Sequence, residues 1–561
     1  MRTRRPLALL AAASAAVMAL TACGGGGGGG DGGGGTDAGE VGVNDINPMA
    51  AGQLGVGGDF RWPLSSMPPN FNRLHLDGSE ADNRDVMSGL MPGVYDGLPD
   101  GTVEIDPAYA ESAELTSEDP QVVTYTINPD ATWSDGTAIT WEDFQAQWQA
   151  LNGSNEAFLV SSKTGYEDIG SVERGEDDKQ VVVTFATKFS DWQALFSPLY
   201  PKSTNTNPEV FNTGWVEGMP VTAGPFKLAN IDRTANTITV VRDENWWGEA
   251  PKLDRIIYRA IPVDAQIDAL ANNEVDFIDV GPDLNAFTRA QTLQSVTVRT
   301  ALAPDYRHIT FNGAPGSILA DQQLRIAIMK GIDRQIIGEA LIGQLRPDVR
   351  PLGNHIYVEG LEGFQDNDEI VSYDPEEAGR LLDELGWTRQ GDGIRMKDGQ
   401  PLRIRDIIPT NVATSDQESR VVQQQLRAIG VEVNIETVPL DNFFEQFIRP
   451  GDFDITHFSW LGTPFPASSS SSIYGLGPDS EQNYGRIGSD RINELFAQAS
   501  AELDPQRKIE LANEADREIW AVGHSLLLYQ RPNVVAVRNN VANFGAFGFA
   551  SAKYREIGFT N

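Results

Sequence analysis

From about residue 55 onward, apolar and polar positions alternate between strand and helix signals. In residues 122–128, Val123, Tyr125 and Ile127 alternate with threonines, which predicts a strand with one buried face. Thr140 followed by Asp143 has the form of a capping box, after which Phe144, Trp148 and Leu151 share one helical face. Residues 180–185, 236–241 and 254–261 read as further strands, 265–272 as a helix and 274–280 as a short buried strand.

The second half carries longer helical periods. Asp374, Pro375 and Glu377 supply an N-cap, a proline at the first helical position and an acid in the first turn. Ala378, Leu381, Leu382 and Leu385 form the buried stripe and Gly386 stops it. Ser415 with Glu418 reads as the opening of another helix, carrying Val421, Val422, Leu426 and Ile429 and ending at Gly430. Residues 431–438 then alternate as a strand. Helix, glycine, strand is the rhythm of an α/β fold.

Composition narrows the function. The chain has 561 residues, 40% hydrophobic and 22% charged, enough for a large core and three or four domain-sized units. A net charge of −36 sets it against nucleic acid and anionic surfaces. Arg2, Arg4 and Arg5 precede an apolar stretch at 7–20 that is short for a membrane span, so residues 1–22 read as an export signal. Cys23 is the single cysteine, so no internal disulfide forms. The glycine tract after it makes 23–45 a flexible tether.

Catalytic motifs are missing. No Gly-Lys pair exists for a phosphate loop, and neither a Gly-x-Ser-x-Gly elbow nor a His-Glu-x-x-His helix occurs. The five histidines are far apart in sequence, and the acidic clusters lack the glycine and terminal glutamate of a calcium loop. The expectation is therefore no cofactor, no metal and no enzymatic activity.

Five segments in order carry a resemblance. They are PAYAESAE…VVTYTINPDATWSDGTAITWEDF (107–144), TAGPFKL (222–228), VVRDENWWGEAPKLDRIIYRAIP (240–262), DQQLRIAIMKGIDRQIIGEAL (321–341) and YDPEEAGRLLDELGW (373–387). Together they resemble the extracytoplasmic solute-binding proteins of peptide/nickel-type ABC transporters, family 5. LTAC at 20–23 resembles a bacterial lipobox, which implies lipidation of Cys23 and a place on the outer face of the cell membrane.

The resemblance implies an α/β, two-lobed periplasmic-binding-protein-like fold of class II, the large oligopeptide-binding type, with a ligand cleft between lobes. Lobe I would be 46–303 plus 527–561, with an extra subdomain around 95–220, and lobe II would be 304–526. The expected activity is capture of a solute, most simply an oligopeptide, by a monomer that delivers it to a membrane permease. The alternatives are a non-peptide solute, a sensing or adhesion receptor, or a secreted hydrolase, for which no motif exists.

In the family a strand ending in Trp-x-x-Asp leads over the cleft, the aromatic packing on ligand and the aspartate pairing with a peptide's α-ammonium. Here the strand ends at Trp460 and the position three further on is Thr463. The residues expected to line the cleft are Trp460, Thr463, His457, Phe465, Ser468 and Tyr474, with Asn72, Thr222 and Gly224 from lobe I. The serine run after Pro466 reads as a cleft-lining loop, a flexible flap being the alternative.

Overall fold

The computed structural model describes residues 41–477, 480 and 482–560. The export signal, Cys23 and most of the tether lie outside the described residues. The last expected tether residues are docked. Val41 N donates to Asp348 Oδ2 (3.3 Å), and Asp45–Ile46 pairs with Gly545–Ala546.

Two large hydrophobic cores organise the body. The first is built on two sheets. One places Asp59–Leu64 parallel to Arg255–Ala260, followed by Thr237–Arg242 and Phe226–Asp232. The other is an antiparallel meander of Ala110–Glu118, Gln121–Ile127, Gln180–Phe185 and Ile169–Arg174. The threonine alternation predicted for 122–128 appears as strict burial of every second residue in Gln121–Ile127. The helix Trp141–Leu151 starts where its capping box predicts, with Asp143 Oδ2 accepting from Thr140 N at 2.9 Å.

The second core surrounds a six-stranded sheet ordered Phe277–Asp279, Ser525–Arg538, Val296–Phe311, Ile455–Trp460, Arg403–Pro409, Glu432–Val438. The first four pair antiparallel, and Arg403–Pro409 runs parallel to both of its neighbours. The helix Pro375–Glu384 has the predicted cap, Asp374 accepting from Glu377 N (2.9 Å). Its Ala378 and Leu382 are fully buried while Leu381 and Leu385 pack at the edge. Burying each such leucine contributes about 1.5–3 kcal/mol.

Two long strands serve both cores. Val296–Phe311 and Ser525–Arg538 put Ala301, Val535 and Val537 into the first core, and Tyr306, Ile309 and Leu526 to Tyr529 into the second. Their register slips between Leu302 and Tyr306, a bulge that frees Ala303, Pro304 and Asp305 from the ladder.

Two sequence expectations change. The helix expected to open at Ser415 begins at Ala413, and Ser415 and Glu418 are buried inside it. They serve a neighbouring arginine rather than a helix end. The serine run is a helix, Pro466–Tyr474, with proline in its first turn. Its hydroxyls bond back to carbonyls three residues earlier, among them Ser471 Oγ to Ser468 O (2.9 Å) and Ser472 Oγ to Ser469 O (3.2 Å). That back-bonding satisfies polar groups that would otherwise keep a serine-rich stretch in solvent.

Candidate functional site

The strand Ile455–Trp460 positions the centre of the site. It pairs with Val296–Phe311 so that Trp460 lies opposite Tyr306 and Phe458 opposite His308. His457 and Trp460 are three residues apart, and an odd separation along a strand sends side chains to opposite faces. His457 therefore points away from the Trp460 ledge, which corrects the expectation that both face the cleft. It is fully buried between Asp406 and Glu418.

On the other face Trp460 completes an aromatic ledge. Its half-buried ring is nearly parallel to His308 (5.8 Å, 10°) and to Tyr484 (5.9 Å, 13°), with Phe458 edge-on at 5.2 Å. Burial, then the neighbouring charge of Arg307, lowers the His308 pKa well below its ordinary value, so the imidazole is neutral. The ledge is thus an uncharged π-surface suited to an apolar or planar group.

Beyond Trp460 the chain turns. Leu461 is exposed, and Gly462 lies so close to the bulge that a Cβ there would sit 2.4 Å from Pro304 O. Thr463 Oγ1 accepts from Phe465 N (3.2 Å) and shares a hydrogen bond with Ser469 Oγ (3.1 Å), so its hydroxyl is engaged in shaping the turn. Phe465 is the half-buried N-cap residue of the serine helix.

Ser468 joins the two cores. Its amide donates to Asp191 Oδ2 (3.3 Å), from the first core's segment, and Lys508 Nζ donates to Asp191 Oδ1 (2.7 Å). Alongside, Ser190 N donates to Ser500 O (2.6 Å) and Ser190 Oγ to Ala499 O (3.1 Å).

The other expected ligand residues are internal. Tyr474 is fully buried, its hydroxyl 2.8 Å from that of Tyr306 and its ring against His355 and His524. Asn72 closes a turn, Nδ2 donating to Phe211 O (2.9 Å) and Oδ1 accepting from Leu74 N (3.1 Å). Thr222 N donates to Ser134 Oγ (3.0 Å), and its carbonyl accepts from Ser134 N. Gly224 permits close packing, since a Cβ there would meet Gly89 O at 2.3 Å. The side chains of Tyr474 and Asn72 are thus used within the protein, as is that of His457.

Sequence reading missed a convergence. Three histidines scattered along the chain, His355, His457 and His524, come within electrostatic range of His308. Among the described residues no group of three or more His, Cys, Asp or Glu is arranged to hold a metal. A depression of about 410 Å³ beside the ledge is lined by Tyr484, Asn483, Arg449 and Arg486. A larger one, about 610 Å³, lies away from the ledge, where Arg61 is already paired with Asp276. Among the described residues no helix is long and apolar enough to cross a membrane.

Comparison with known proteins agrees with this architecture. Residues 104–482 match the family "Bacterial extracellular solute-binding proteins, family 5 Middle". The chain is 44% identical over 519 residues to oligopeptide-binding protein OppA of Mycobacterium tuberculosis, covering 92% of this chain and 87% of that protein. Among solved structures it is similar to the periplasmic EDTA-binding protein EppA (TM-score 0.86, 24% identity, 94% of this chain and 100% of that one). It is also similar to oligopeptide-binding AppA of Bacillus subtilis in complex with a nonapeptide (TM-score 0.75, 20% identity, 91% and 100%). Two cores sharing crossed strands are the two lobes of this fold, and the chain belongs to the family 5 bacterial extracellular solute-binding proteins.

Proposed function

We propose that the protein is the peptide-capturing component of an ABC importer. It binds oligopeptides between its lobes and delivers them to a membrane permease. The 44% identity to OppA over most of both chains supports the ligand class. The observation that carries the reading is the Trp460 ledge, a half-buried aromatic surface at the end of a central strand, beside the bulge where the two shared strands change core.

In this reading lobe I is 46–303 plus 527–561, with a subdomain around 95–220, and lobe II is 304–526. The slip between Leu302 and Tyr306 is the hinge. A ligand closes the lobes only by making better contacts in the closed state. The family is one of binding proteins, and this chain leaves its ligand chemically intact. It acts as a monomer held to the outer membrane face by lipid on Cys23. A non-peptide solute is the second reading, favoured by the engaged hydroxyl at Thr463 where peptide-binding members carry an acid.

Native mass spectrometry of the purified protein tests the reading. Copurifying peptides of mixed sequence are expected, returned at unchanged mass after incubation. A sugar or metal chelate in their place would overturn the ligand class.

A further inference from the structure

The segment that leads from the tether into the body crosses the bulge between the two cores. Asn44 to Met49 are stitched to elements around the first core. Asp45 Oδ1 accepts from Arg299 Nη1 (2.8 Å), Asp45 Oδ2 from Thr300 N (3.0 Å), and Met49 N donates to Asn543 Oδ1 (2.7 Å). The three residues before Asn44 leave that footing. Val41 N donates to Asp348 Oδ2 (3.3 Å), Gly42 O accepts from Leu302 N (2.8 Å), and Val43 packs on Gly360. Leu302 is the last paired residue before the register slip, and Asp348 and Gly360 belong to the span read as lobe II. A Cβ on Gly360 would stand 2.9 Å from Val43 Cγ1, and one on Gly548 2.1 Å from Val43 O, so both glycines admit the crossing chain.

The far end of the crossing is tied to the same bulge from inside. Gln530 is fully buried, and its Nε2 donates to Ala303 O in the bulge (2.7 Å) and to Glu359 O (3.0 Å). Arg346, buried beside it, donates from Nη1 to Gln530 O (3.2 Å), pairs with Glu359, and has Nε 3.5 Å from Asp348 Oδ1. Asp348 therefore takes the Val41 amide on one oxygen and meets, with the other, the arginine that holds the partner of the bulge. A buried network satisfied in this way keeps its members in one arrangement. Any rotation of the second core about the bulge displaces Asp348 and Gly360 relative to Asn44–Met49, which stay fixed on the first.

We propose that residues 41–43 are a strap across the hinge, which holds the lobes together and slows release of a captured peptide. The proposal rests on the reading of the protein as a two-lobed peptide receptor. The strap is made while the lobes touch, since Asp191 at the same time accepts from Lys508 and from the Ser468 amide. Parting the lobes about the bulge breaks the bond from Val41 to Asp348 and unseats Val43 from Gly360. Contacts present in one state and lost in the other are what bias a hinge equilibrium. The strap is also the end of the tether that begins at Cys23, so the residues that join the body to its tether also join its lobes.

The test uses the full chain and a pooled library of nonapeptides, with dissociation followed by stopped-flow tryptophan fluorescence. Val41→Pro with Val43→Gly removes the donor and the seated side chain from the strap, and Asp348→Ala removes the acceptor from the other lobe. Each should release the library about fivefold or more faster than wild type, the scale of one net hydrogen bond. Asn44→Ala loses a bond of its own to Phe547 O (3.3 Å), on the first core's side only, and should release at the wild-type rate. Thermal melts separate faster release from loss of fold. An unchanged rate in either strap variant, or equal acceleration by Asn44→Ala, overturns the strap and leaves the receptor reading standing. Failure of wild type to bind the library overturns the receptor reading, and the strap with it.

Discussion

His457 Nε2 lies 3.3 Å from Asp406 Oδ2 in the interior of lobe II, with neither side chain exposed to solvent. Glu418 Oε2 stands 3.5 Å from the other ring nitrogen. These are ion pairs rather than aligned hydrogen bonds, since neither imidazole nitrogen has a hydrogen-bond partner. Burial pushes the imidazole pKa down, but Asp406 and Glu418 outweigh it and raise it from 6.5 to about 9. The stabilisation is thus complete below pH 6.5 and lost as pH rises through 9. Denaturant melts of wild type and His457→Gln should differ most below pH 6.5 and converge above pH 9; a constant difference would refute the ionised pair.

Glu418 anchors the same network from the helix Ala413–Ala428. It accepts from Arg307 Nε (2.9 Å) and from Tyr529 OH (2.8 Å). Burial raises its carboxyl, yet Arg307 and His457 prevail and hold it at about 2, below its ordinary 4.5. Its contribution is present above pH 4.5 and disappears as pH falls through 2. Glu418→Gln leaves Arg307 buried without its partner and should cost about 3–5 kcal/mol at neutral pH, measured by urea unfolding. A loss under 1 kcal/mol would contradict the geometry.

Asp191 ties the lobes together through Lys508 and the Ser468 amide. Lys508→Met should weaken this bridge by about 1.5–3 kcal/mol, the range for a hydrogen bond to a charged group. The expected readouts are a larger radius of gyration by small-angle scattering and weaker peptide binding. An unchanged radius would show that the bridge does not restrain the lobes.

Gly462→Ala drives a methyl against the Pro304 carbonyl, a backbone atom that cannot rotate aside. Overpacking of this kind costs about 1–3 kcal/mol. Because the clash lies between the ledge and the bulge, peptide affinity should fall more than thermal stability. Equal effects on both would place the strain elsewhere.

Cys23→Ser removes the thiol on which the proposed lipid anchoring depends. The variant should move from the membrane fraction to the soluble fraction while keeping its peptide affinity. Retention in the membrane would rule out Cys23 as the anchor.

Local order was readable in the sequence wherever its cause is local. The alternation in Gln121–Ile127 and the cap at Asp374 depend on neighbours a few residues away, and both stand as expected. Ser415 and Glu418 have the form of a capping box, but their partners, Arg307 and Tyr529, lie about a hundred residues off, so their burial left no local mark. The serine helix was hidden for a similar reason, since back-bonding rescues a composition that otherwise signals a loop. One site error was avoidable, because the odd spacing of His457 and Trp460 on a strand already sets them on opposite faces.

The pairing of Val296–Phe311 with Ser525–Arg538 also sets the timing of biogenesis. Both cores bury side chains from Ser525–Arg538, and the first further needs Val541, Phe544, Tyr554 and Ile557. Contacts so distant in sequence form slowly, and here they cannot form until residues 525–557 have been synthesised. Neither core can close around its central strands before the segment 525–561 is present, so the two lobes complete their folding together rather than one after the other.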